Sequence, residues 1–511
     1  MYDYILADRI ELIDDLFLFN RINEVTIMAN TFNRKKTYFH VAGILVFMFL
    51  FGLIPPFGPL TPMGMQVLGI FIGMIWGWTI GETIWPSLLG LVLLGFTEGN
   101  TVAGILNTAF ANTTLQQVLF SLLFCYGITA CGLLELVAKW ILSRKFAKKG
   151  PYWMLFAFCL AAAVAGAVTT NSLPVTILLW SIFYPIAKTL NLAPKSPYVT
   201  MTLVLICVFS YTGAVCVPYS AFTNICLGVL YANAPELQGT INYAAYCSLM
   251  IIINIALFPL MIGFFKYIVR PKVNYQVLDN IVDPSELHMT KMQKIMSGYI
   301  VLLCAMMILP NIMPKAWVFT TVLTNLGVNG SFIVVMVLMY LTYAANGEHL
   351  MDFAEGMMRG VPWGLYFLLL AALTIAGLIT SPATGISTLL IQIVNPLLEG
   401  RSAAVFMAIM VVAACIITNC INNVVTVSLL TPITLGFLAL NGGNPLLMAS
   451  LLVIMCLQGV VMPAGSVLGA LLHGNTEWLN AGGIYKYSIL AELVLAFTIC
   501  VVGIPIGNIL F

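Results

Sequence analysis

The chain consists of long apolar runs separated by short polar stretches. Runs such as 41–54, 67–78, 88–96 and 244–265 are nearly free of charged residues. Their apolar residues are continuous rather than alternating, which favours helices over a transmembrane barrel. With their flanks, these runs approach the roughly 20 residues that a helix needs to cross a bilayer. The pattern therefore predicts an all-α polytopic membrane protein.

Two of the longest runs are interrupted by polar residues. One is broken near Asn171 and the other near Asn422 and Asn423, about half the chain apart. A helix broken inside a membrane exposes backbone groups that lipid cannot satisfy, so such breaks are tolerated where they line a cavity or hold something polar. Two matched breaks predict an internal duplication and a transport site near the membrane midplane.

The segments around the breaks repeat in the same order. Hairpin-like regions at 113–141 and 362–398 are each followed by two interrupted segments, 152–189 and 198–231 in the first half and 403–440 and 445–471 in the second. Gly132 and Gly377 are predicted to lie at equivalent points of the two hairpins. Simple helices are predicted near 37–54, 63–79, 83–97, 242–269, 295–312, 330–345 and 484–508. The predicted organisation is a cytoplasmic or interfacial tail (1–36), a first repeat (37–269), a polar linker (270–294) and a second repeat (295–511).

Composition narrows the class further. The chain is 61% hydrophobic and 8% charged, whereas a soluble domain carries about 25% charged residues. A net charge of +2 gives no basis for binding nucleic acid. The twelve cysteines include no CxxC pair, and the four histidines share no metal-ligand spacing. Three basic clusters cannot all lie on one side of the membrane with the predicted helices, so the orientation stays open.

The chemistry of the breaks indicates an anion site. Ser172 is the predicted N-cap of the helix that restarts there, with Pro174 in its first turn, and Asn422 or Asn423 is the predicted cap in the second half. Each half-helix N-terminus carries about half a positive charge, so two of them offset about one negative charge. A dianion would need bound cations as well. Carbonyls that end the preceding half-helices suit such a cation, which predicts symport.

The breaks also lack charged side chains. No Asp, Glu, Lys or Arg lies between residues 150 and 186 or between 402 and 476. Because an intramembrane carboxylate is the usual proton carrier, this absence favours an anion held by amides and hydroxyls and coupled to Na⁺. Hydrogen bonding between helices would explain one such Asn-Ser pair. Two matched breaks favour a site instead.

These motifs carry a family resemblance over about 37–511. Thr170-Asn171-Ser172 and Asn422-Asn423-Val424, the latter followed by Pro432, resemble the two Ser-Asn-Thr motifs of the divalent anion/Na⁺ symporter family. In that family each motif lies in a broken helix of one of two inverted repeats with re-entrant hairpins. The segments 217–224 and 462–466 resemble its Gly/Thr-Pro-Pro-Asn signature, without the Pro-Pro pair.

The resemblance implies a set of site residues and a mechanism. It implies one Na⁺ site at Thr170, Asn171 and Ser220 and another at Thr418, Ile421 (through its carbonyl), Asn423 and Gly465. It implies substrate contacts at Asn171, Ser172, Ala221, Asn422, Asn423, Val424 and Ser466. It further implies a homodimer with elevator-type movement and no organic cofactor. Val424 stands where the family has a hydroxyl, which leaves the anion open among dicarboxylates, sulfate and related anions.

Three other functions compete with a symporter. A cation/proton antiporter of related architecture needs a titratable group at a break, and the sequence shows none there. A membrane enzyme acting on lipid-linked substrates needs catalytic acids or bases in its loops, which are short and poor in them. A channel is compatible with the sequence, but duplicated broken helices favour alternating access. We therefore predict a multi-pass transporter of the cell membrane, with a small anion as substrate and no enzyme activity.

Overall fold

The computed structural model describes residues 34–511 apart from 81, 272, 274–287, 315–316, 344–346, 348, 387, 390–391, 393–401 and 464. In this part of the chain the architecture is all-α, and its β pairing is limited to one bridge between Tyr343 and His349. The helices of the first half are α1 (Arg34–Leu50), α2 (Pro62–Thr79), α3 (Ile84–Leu94), α4 (Val102–Phe110), α5 (Thr113–Ala130), α6 (Leu133–Leu142), α7 (Pro151–Thr169), α8 (Ser172–Thr189), α9 (Pro197–Ala214), α10 (Ala221–Asn233) and α11 (Tyr243–Phe264). Those of the second half are α12 (Lys291–Ile312), α13 (Val318–Tyr340), α14 (Trp363–Thr380), α15 (Ala403–Cys420), α16 (Asn423–Asn441), α17 (Pro445–Cys456), α18 (Val467–Gly474), α19 (Ala481–Thr498) and α20 (Ile504–Leu510).

Many of these helices have the length and composition of membrane spans. Among the described residues, eight are long and apolar enough to cross a bilayer. Two further helices, Phe353–Gly360 and Trp363–Ile379, form a pair bent by 78°. If this pair forms one span, the number of candidate spans among the described residues rises to nine. The prediction of an all-α polytopic membrane protein is confirmed.

The predicted order of elements recurs in both halves. Helices α7 and α8 form the first broken pair of the first half, and α15 and α16 form that of the second half. The pairs α9–α10 and α17–α18 follow them. The last helices, α11 and α19, both begin after an asparagine N-cap, Asn242 and Asn480. Both also continue into a π-helical turn, Phe265–Val269 and Ile499–Gly503.

Some details differ from the prediction. Helix α13 begins at Val318 rather than near 330, because the apolar residues before Gly327 join it across a kink at that glycine. Gly377 lies inside α14, so it does not match Gly132, which turns the first hairpin at φ 70°. Gly385, also at φ 70°, is the left-handed glycine of the second hairpin, where a Cβ would lie 1.9 Å from the Pro59 carbonyl oxygen. Most of the second arm of that hairpin lies outside the described residues.

The predicted tail and linker are also largely undescribed. Of the tail 1–36, the structure describes the backbone from Arg34, where α1 begins. Of the linker 270–294, residues 272 and 274–287 lie outside the described part. The linker's last four residues form the first turn of α12. The domain boundaries therefore stay a prediction.

Helix α9 lies at the centre of the molecule. It is buried along nearly its whole length and packs against α7, α8 and α19. Its crossing with α7 depends on glycine. A Cβ at Gly213 would lie 2.0 Å from the Ala163 carbonyl oxygen, and one at Gly166 would lie 2.4 Å from that of Ser210. Because these glycines let the two backbones touch, the ends of α7 and α9 lie side by side.

The molecule has a contrasting outer region. Helices α12 and α13 pack against each other and leave large apolar side chains exposed, among them Val301, Val318, Phe319 and Val337. Apolar side chains facing outward are expected for helices that contact lipid. The buried α9 and these outer helices thus form the inner and outer parts of the fold.

A set of contacts also ties the two halves together. Asn475, after α18, donates to the Tyr184 hydroxyl of α8 at 2.8 Å. The Tyr184 and Trp478 rings stack with centroids 4.6 Å apart. The Lys195 backbone N–H donates to the Trp478 carbonyl at 2.9 Å. We call these four residues the inter-half contact.

Candidate functional site

The first break separates α7 and α8. Thr170 ends α7 at φ 51°, a left-handed conformation that residues other than glycine rarely adopt. The Asn171 side chain accepts a hydrogen bond from the Leu173 backbone N–H at 3.3 Å and so caps α8. The prediction that Ser172 is the cap is wrong. Ser172 is the first helical residue, and its hydroxyl donates to the Ser210 carbonyl of α9 at 3.0 Å.

The second break separates α15 and α16. Ile421 is extended, and the Asn422 side chain caps α16 by accepting from the Val424 backbone N–H at 2.9 Å. Helix α16 therefore starts at Asn423, as α8 starts at Ser172. The structural register matches Asn171 with Asn422 and Ser172 with Asn423, one residue away from the predicted pairing. Val424 then matches Leu173, and its side chain is buried.

A compact polar cluster surrounds the second break. The Thr418 hydroxyl contacts the Cys456 carbonyl and lies 3.0 Å from Asn423 Oδ1. Asn423 Nδ2 donates to the Leu457 carbonyl at 3.3 Å. A Cβ at Gly465 would lie 3.0 Å from the Thr418 carbonyl oxygen, so this glycine lies against Thr418. Thr418, Asn423 and Gly465, three of the four residues expected at one Na⁺ site, are thus brought together, and Ile421 lies in the break beside them.

The first break has different neighbours. Thr170 Oγ1 lies 2.6 Å from Cys125 Sγ of α5. The Tyr219 hydroxyl donates to the Ala167 and Val168 carbonyls of the last turn of α7, at 2.9 and 3.0 Å. Two of the carbonyls expected to face a cation therefore accept from a tyrosine instead. Ser220, before α10, is fully buried, and its hydroxyl has no partner among the described residues.

The two breaks are joined through α9 and the loop before α18. Beside Ser210, which accepts from Ser172, the Tyr211 hydroxyl accepts from the Leu468 backbone N–H at 3.4 Å. Ser466, two residues before Leu468, donates to the Gly459 carbonyl at 2.6 Å. A Cβ at Gly459 would lie 2.8 Å from Asn423 Oδ1, so this glycine packs against Asn423. The loop before α18 therefore contacts both α9 and the second break.

The predicted substrate residues lie along this path with different exposure. Asn171 is exposed, Asn422 and Ser466 are half-buried, and Ser172 and Asn423 are buried. Ala221 is the first residue of α10 and is also buried. Val424 uses its backbone N–H to bond Asn422. The N-termini of α8 and α16 each carry roughly half a positive charge at their own break.

Sequence analysis missed a carboxylate behind the second break. Glu492 of α19 is only 2% exposed. Its Oε2 accepts from Asn419 Nδ2 at 2.6 Å and from Cys415 Sγ at 3.4 Å. Asn419 Oδ1 accepts from the Val461 backbone N–H at 2.8 Å. The expectation that no titratable group lies at a break is therefore wrong. Glu492 is distant from the break in sequence, but it packs behind it in the folded protein. The available signal was a single acidic residue within the apolar segment 484–508.

Comparisons with known proteins assign the family. The family model described as "Citrate transporter" (CitMHS) matches residues 71–457, which include both breaks. The chain belongs to this citrate transporter family. It is accordingly a multi-pass membrane transporter rather than an enzyme. The match does not single out the divalent anion/Na⁺ symporters, so that resemblance stays a prediction. No curated protein sequence matches the chain.

Two solved structures share the fold. The YdaH transporter of Alcanivorax borkumensis superposes with a TM-score of 0.54 at 13% identity, covering 87% of this chain and 98% of its own. MtrF of Neisseria gonorrhoeae, from a class of antimetabolite efflux pumps, superposes with a TM-score of 0.50 at 12% identity, covering 88% of this chain and 96% of its own. At such identities the likeness concerns the fold alone.

Proposed function

We propose that this citrate transporter family member is a secondary active transporter that carries a small carboxylate-bearing anion together with Na⁺. The observation that carries the proposal is the pair of capped half-helix N-termini, α8 and α16, one at each break. Backbone N–H groups at such termini are ready-made anion ligands. The family description makes citrate the first substrate to test.

Charge balance supports coupling to a cation. Two helix N-termini supply about one positive charge, which falls short of a fully ionised tricarboxylate. An uncompensated charge in a low-dielectric interior costs several kcal/mol. Each Na⁺ bound by neutral oxygens would add a full positive charge. The Thr418 hydroxyl and carbonyl and the Asn423 side-chain oxygen are such oxygens, and they lie close together at the second break.

The proposal also assigns roles to residues. The proposed Na⁺ ligands are Thr170, Asn171 and Ser220 at the first break and Thr418, Ile421, Asn423 and Gly465 at the second. The proposed anion ligands are Asn171, Ser172, Ala221, Asn422, Asn423, Val424 and Ser466. Val424 belongs to this set through the family resemblance alone, because its side chain is buried and its backbone N–H bonds the Asn422 side chain. A homodimer with elevator movement is part of the same proposal and rests on the family resemblance alone.

The proposal is tested by uptake of labelled citrate into proteoliposomes. We expect uptake to require an inward Na⁺ gradient and to be abolished in N423D and N171D, which place negative charge where the anion binds. N112D is the matched control. Asn112 caps α5 through the Thr114 and Leu115 N–H groups, and aspartate preserves that cap.

Two results would contradict the proposal in different ways. Uptake that follows a proton gradient and ignores Na⁺ would remove the coupling ion. Absence of uptake for citrate, dicarboxylates and sulfate under every gradient would remove the substrate class.

A further inference from the structure

The starting observation is the incomplete bonding of Glu492. Its Oε2 accepts from Asn419 and Cys415, and the Val460 backbone N–H also lies near the carboxyl group, but the buried Oε1 makes no well-formed hydrogen bond among the described residues. The two ion pairs identified in that part of the chain, Glu135–Lys139 and Glu355–Arg359, do not involve it. The carboxylate is thus buried with one oxygen unused and no positive partner.

Such a carboxylate has two accessible states. When it is ionised, its charge is supported by neutral donors alone, and a buried charge without a partner is costly. When a proton binds Oε1, the group becomes neutral and Oε2 still accepts from Asn419. The same packing therefore accommodates both states. What differs between them is the strength of the bond from Asn419, because hydrogen bonds to charged groups are roughly twice as strong as neutral ones.

Asn419 transmits this difference to the second break. It lies in the last turn of α15, and its Oδ1 holds the Val461 N–H. The Val461 carbonyl in turn contacts His473 Nε2 at 2.9 Å. Val461 belongs to the segment 457–463, whose Gly459 lies against Asn423. Because bonds in series polarise one another, a change at Glu492 acts on this whole segment.

The first half lacks an equivalent group. Asn254 lies in α11 at the same distance from its N-cap, Asn242, as Glu492 lies from Asn480 in α19. Asn254 Nδ2 donates to the Thr212 and Met250 carbonyls, at 3.3 and 3.0 Å. An amide does not titrate near neutral pH. The fold therefore places a neutral amide behind one break and an acid behind the other.

Other titratable groups near Glu492 are engaged elsewhere. From α15, the Cys415 thiol is the one that contacts it. On α9, Tyr198 and Tyr211 bond to Pro151 and Leu468, and Cys207 lies beside Thr176. On α11, Tyr246 bonds to Val215 and Tyr243 lies beside Gln117, while His473 of α18 bonds to Val461. Lys486, on α19 itself, is exposed.

We propose that Glu492 is a proton-binding positioning residue whose protonation state sets the arrangement of Asn419 and the segment 457–463. The inference rests on the proposed function only in treating the second break as a binding site. It adds a response to pH that the neutral oxygens of that site do not provide. In this role Glu492 touches neither anion nor Na⁺ and acts through Asn419.

Cys420 provides a direct readout in the full-length protein. It is a free, exposed cysteine between Asn419 and the break. We would measure its modification rate with a maleimide across a pH series, following the Cys420 peptide by mass spectrometry. The variants are E492Q, E492D and the control E135Q, which neutralises a partly exposed acid paired with Lys139 at 2.9 Å. Each variant's rate is expressed as a ratio to the wild-type rate at the same pH.

We expect the E492Q to wild-type ratio to change about five-fold or more across the titration, the lower end of typical coupling between sites. The E135Q ratio should stay constant, and E492D should restore a pH-dependent response displaced from the wild-type profile. A constant E492Q ratio would overturn the proposal. If E492Q does not fold, the test relies on E492D. A pH profile of Cys420 modification in E492D that is identical to the wild-type profile would also overturn the proposal.

The labelling experiment needs neither citrate nor Na⁺. A flat E492Q ratio would therefore remove the role of Glu492 and leave the transport assay unaffected. Failure of citrate uptake, conversely, would remove the proposed substrate while the labelling result stood.

Discussion

The two breaks share a backbone design and differ in what surrounds them. At the first, Asn171 is exposed and Thr170 is held in a left-handed conformation. At the second, Ile421 is extended, and Asn423 is buried and bonded to Thr418 and Leu457. The duplication thus preserves the half-helix N-termini, which give the site its positive potential. The side chains that can hold a cation are concentrated at the second break.

The helix crossings beside the breaks differ as well. Gly166 and Gly213 let α7 and α9 touch backbone to backbone. Helices α15 and α17 contain no glycine, and there the Thr418 hydroxyl bridges to the Cys456 carbonyl. One half is held by close packing and the other by a side-chain hydrogen bond. The following substitutions test this contrast.

The largest expected effect on stability comes from N254D, which places an acid in the first half at the position equivalent to Glu492 in the second. In N254D a carboxylate would face the Thr212 and Met250 carbonyls that Asn254 now donates to. We expect a loss of about 3–5 kcal/mol in the free energy of unfolding when the acid is ionised. Because the folded state favours the protonated form, stability should fall as pH rises above about 4, the ordinary pKa of aspartate. Denaturant unfolding in detergent at several pH values measures this.

The control for N254D is N242D. Asn242 is an exposed N-cap whose Oδ1 accepts from Ala244 and Ala245, and aspartate accepts in the same way. Equal stability of N254D and N242D at neutral pH would show that the site behind the first break tolerates charge, contrary to the comparison.

A second substitution tests the glycine crossing. G213A places a Cβ 2.0 Å from the Ala163 carbonyl oxygen, and we expect overpacking to cost about 1–3 kcal/mol. The control is G263A in α11, where a Cβ meets nothing within 4 Å. That change should be neutral or slightly stabilising because alanine favours helix. Thermal unfolding of purified G213A and G263A compares their stabilities. Equal melting temperatures would show that the close glycine contact between α7 and α9 does not stabilise the fold.

The two asparagines give a smaller contrast. N423A leaves the buried Leu457 carbonyl without its donor, which should lower the free energy of unfolding by about 1–3 kcal/mol. N171A removes one cap hydrogen bond at an exposed position, which should lower it by about 1 kcal/mol. We therefore expect N423A to have the lower melting temperature. The reverse order would place the more tightly bonded cluster at the first break.

The smallest effect concerns backbone conformation. T170G should raise the free energy of unfolding by about 1 kcal/mol, because glycine adopts the left-handed conformation without a steric cost. I421G should lower it instead, since Ile421 is already extended and glycine would also lose the packing of its half-buried side chain against the core. Equilibrium unfolding measures whether each substitution raises or lowers the free energy of unfolding. A destabilised T170G would mean that the Cys125 contact outweighs the strain at Thr170.

Much of this architecture could be predicted because apolar continuity and its interruptions are local signals. The first hairpin, the broken pairs and the long helix that follows them in each half can be derived from these signals. The cap at Asn171 could not be chosen over Ser172, since both residues suit that position and the choice depends on contact with Ser210 in α9. Once that register shifts by one residue, Asn423 rather than Val424 is the counterpart of Ser172.

The remaining site residues depend on distant packing. Glu492 lies far along the chain from the break it serves, and only the packing of α19 on α15 brings it to Asn419. Tyr219 was visible within the segment 217–224, but its bonds to Ala167 and Val168 follow from the arrangement of α7 and α10. Contacts between residues far apart in the chain produce no periodic pattern that a single sequence could show.

The inter-half contact limits how the molecule can move. Tyr184 and Lys195 belong to the first half, Asn475 and Trp478 to the second, and their stacking and hydrogen bonds join the broken helices across the duplication. Any hinge that parted the two halves at this point would have to unstack two aromatic rings and break two hydrogen bonds. A displacement of the broken helices of both halves as one body, relative to α12 and α13, would keep every one of these bonds.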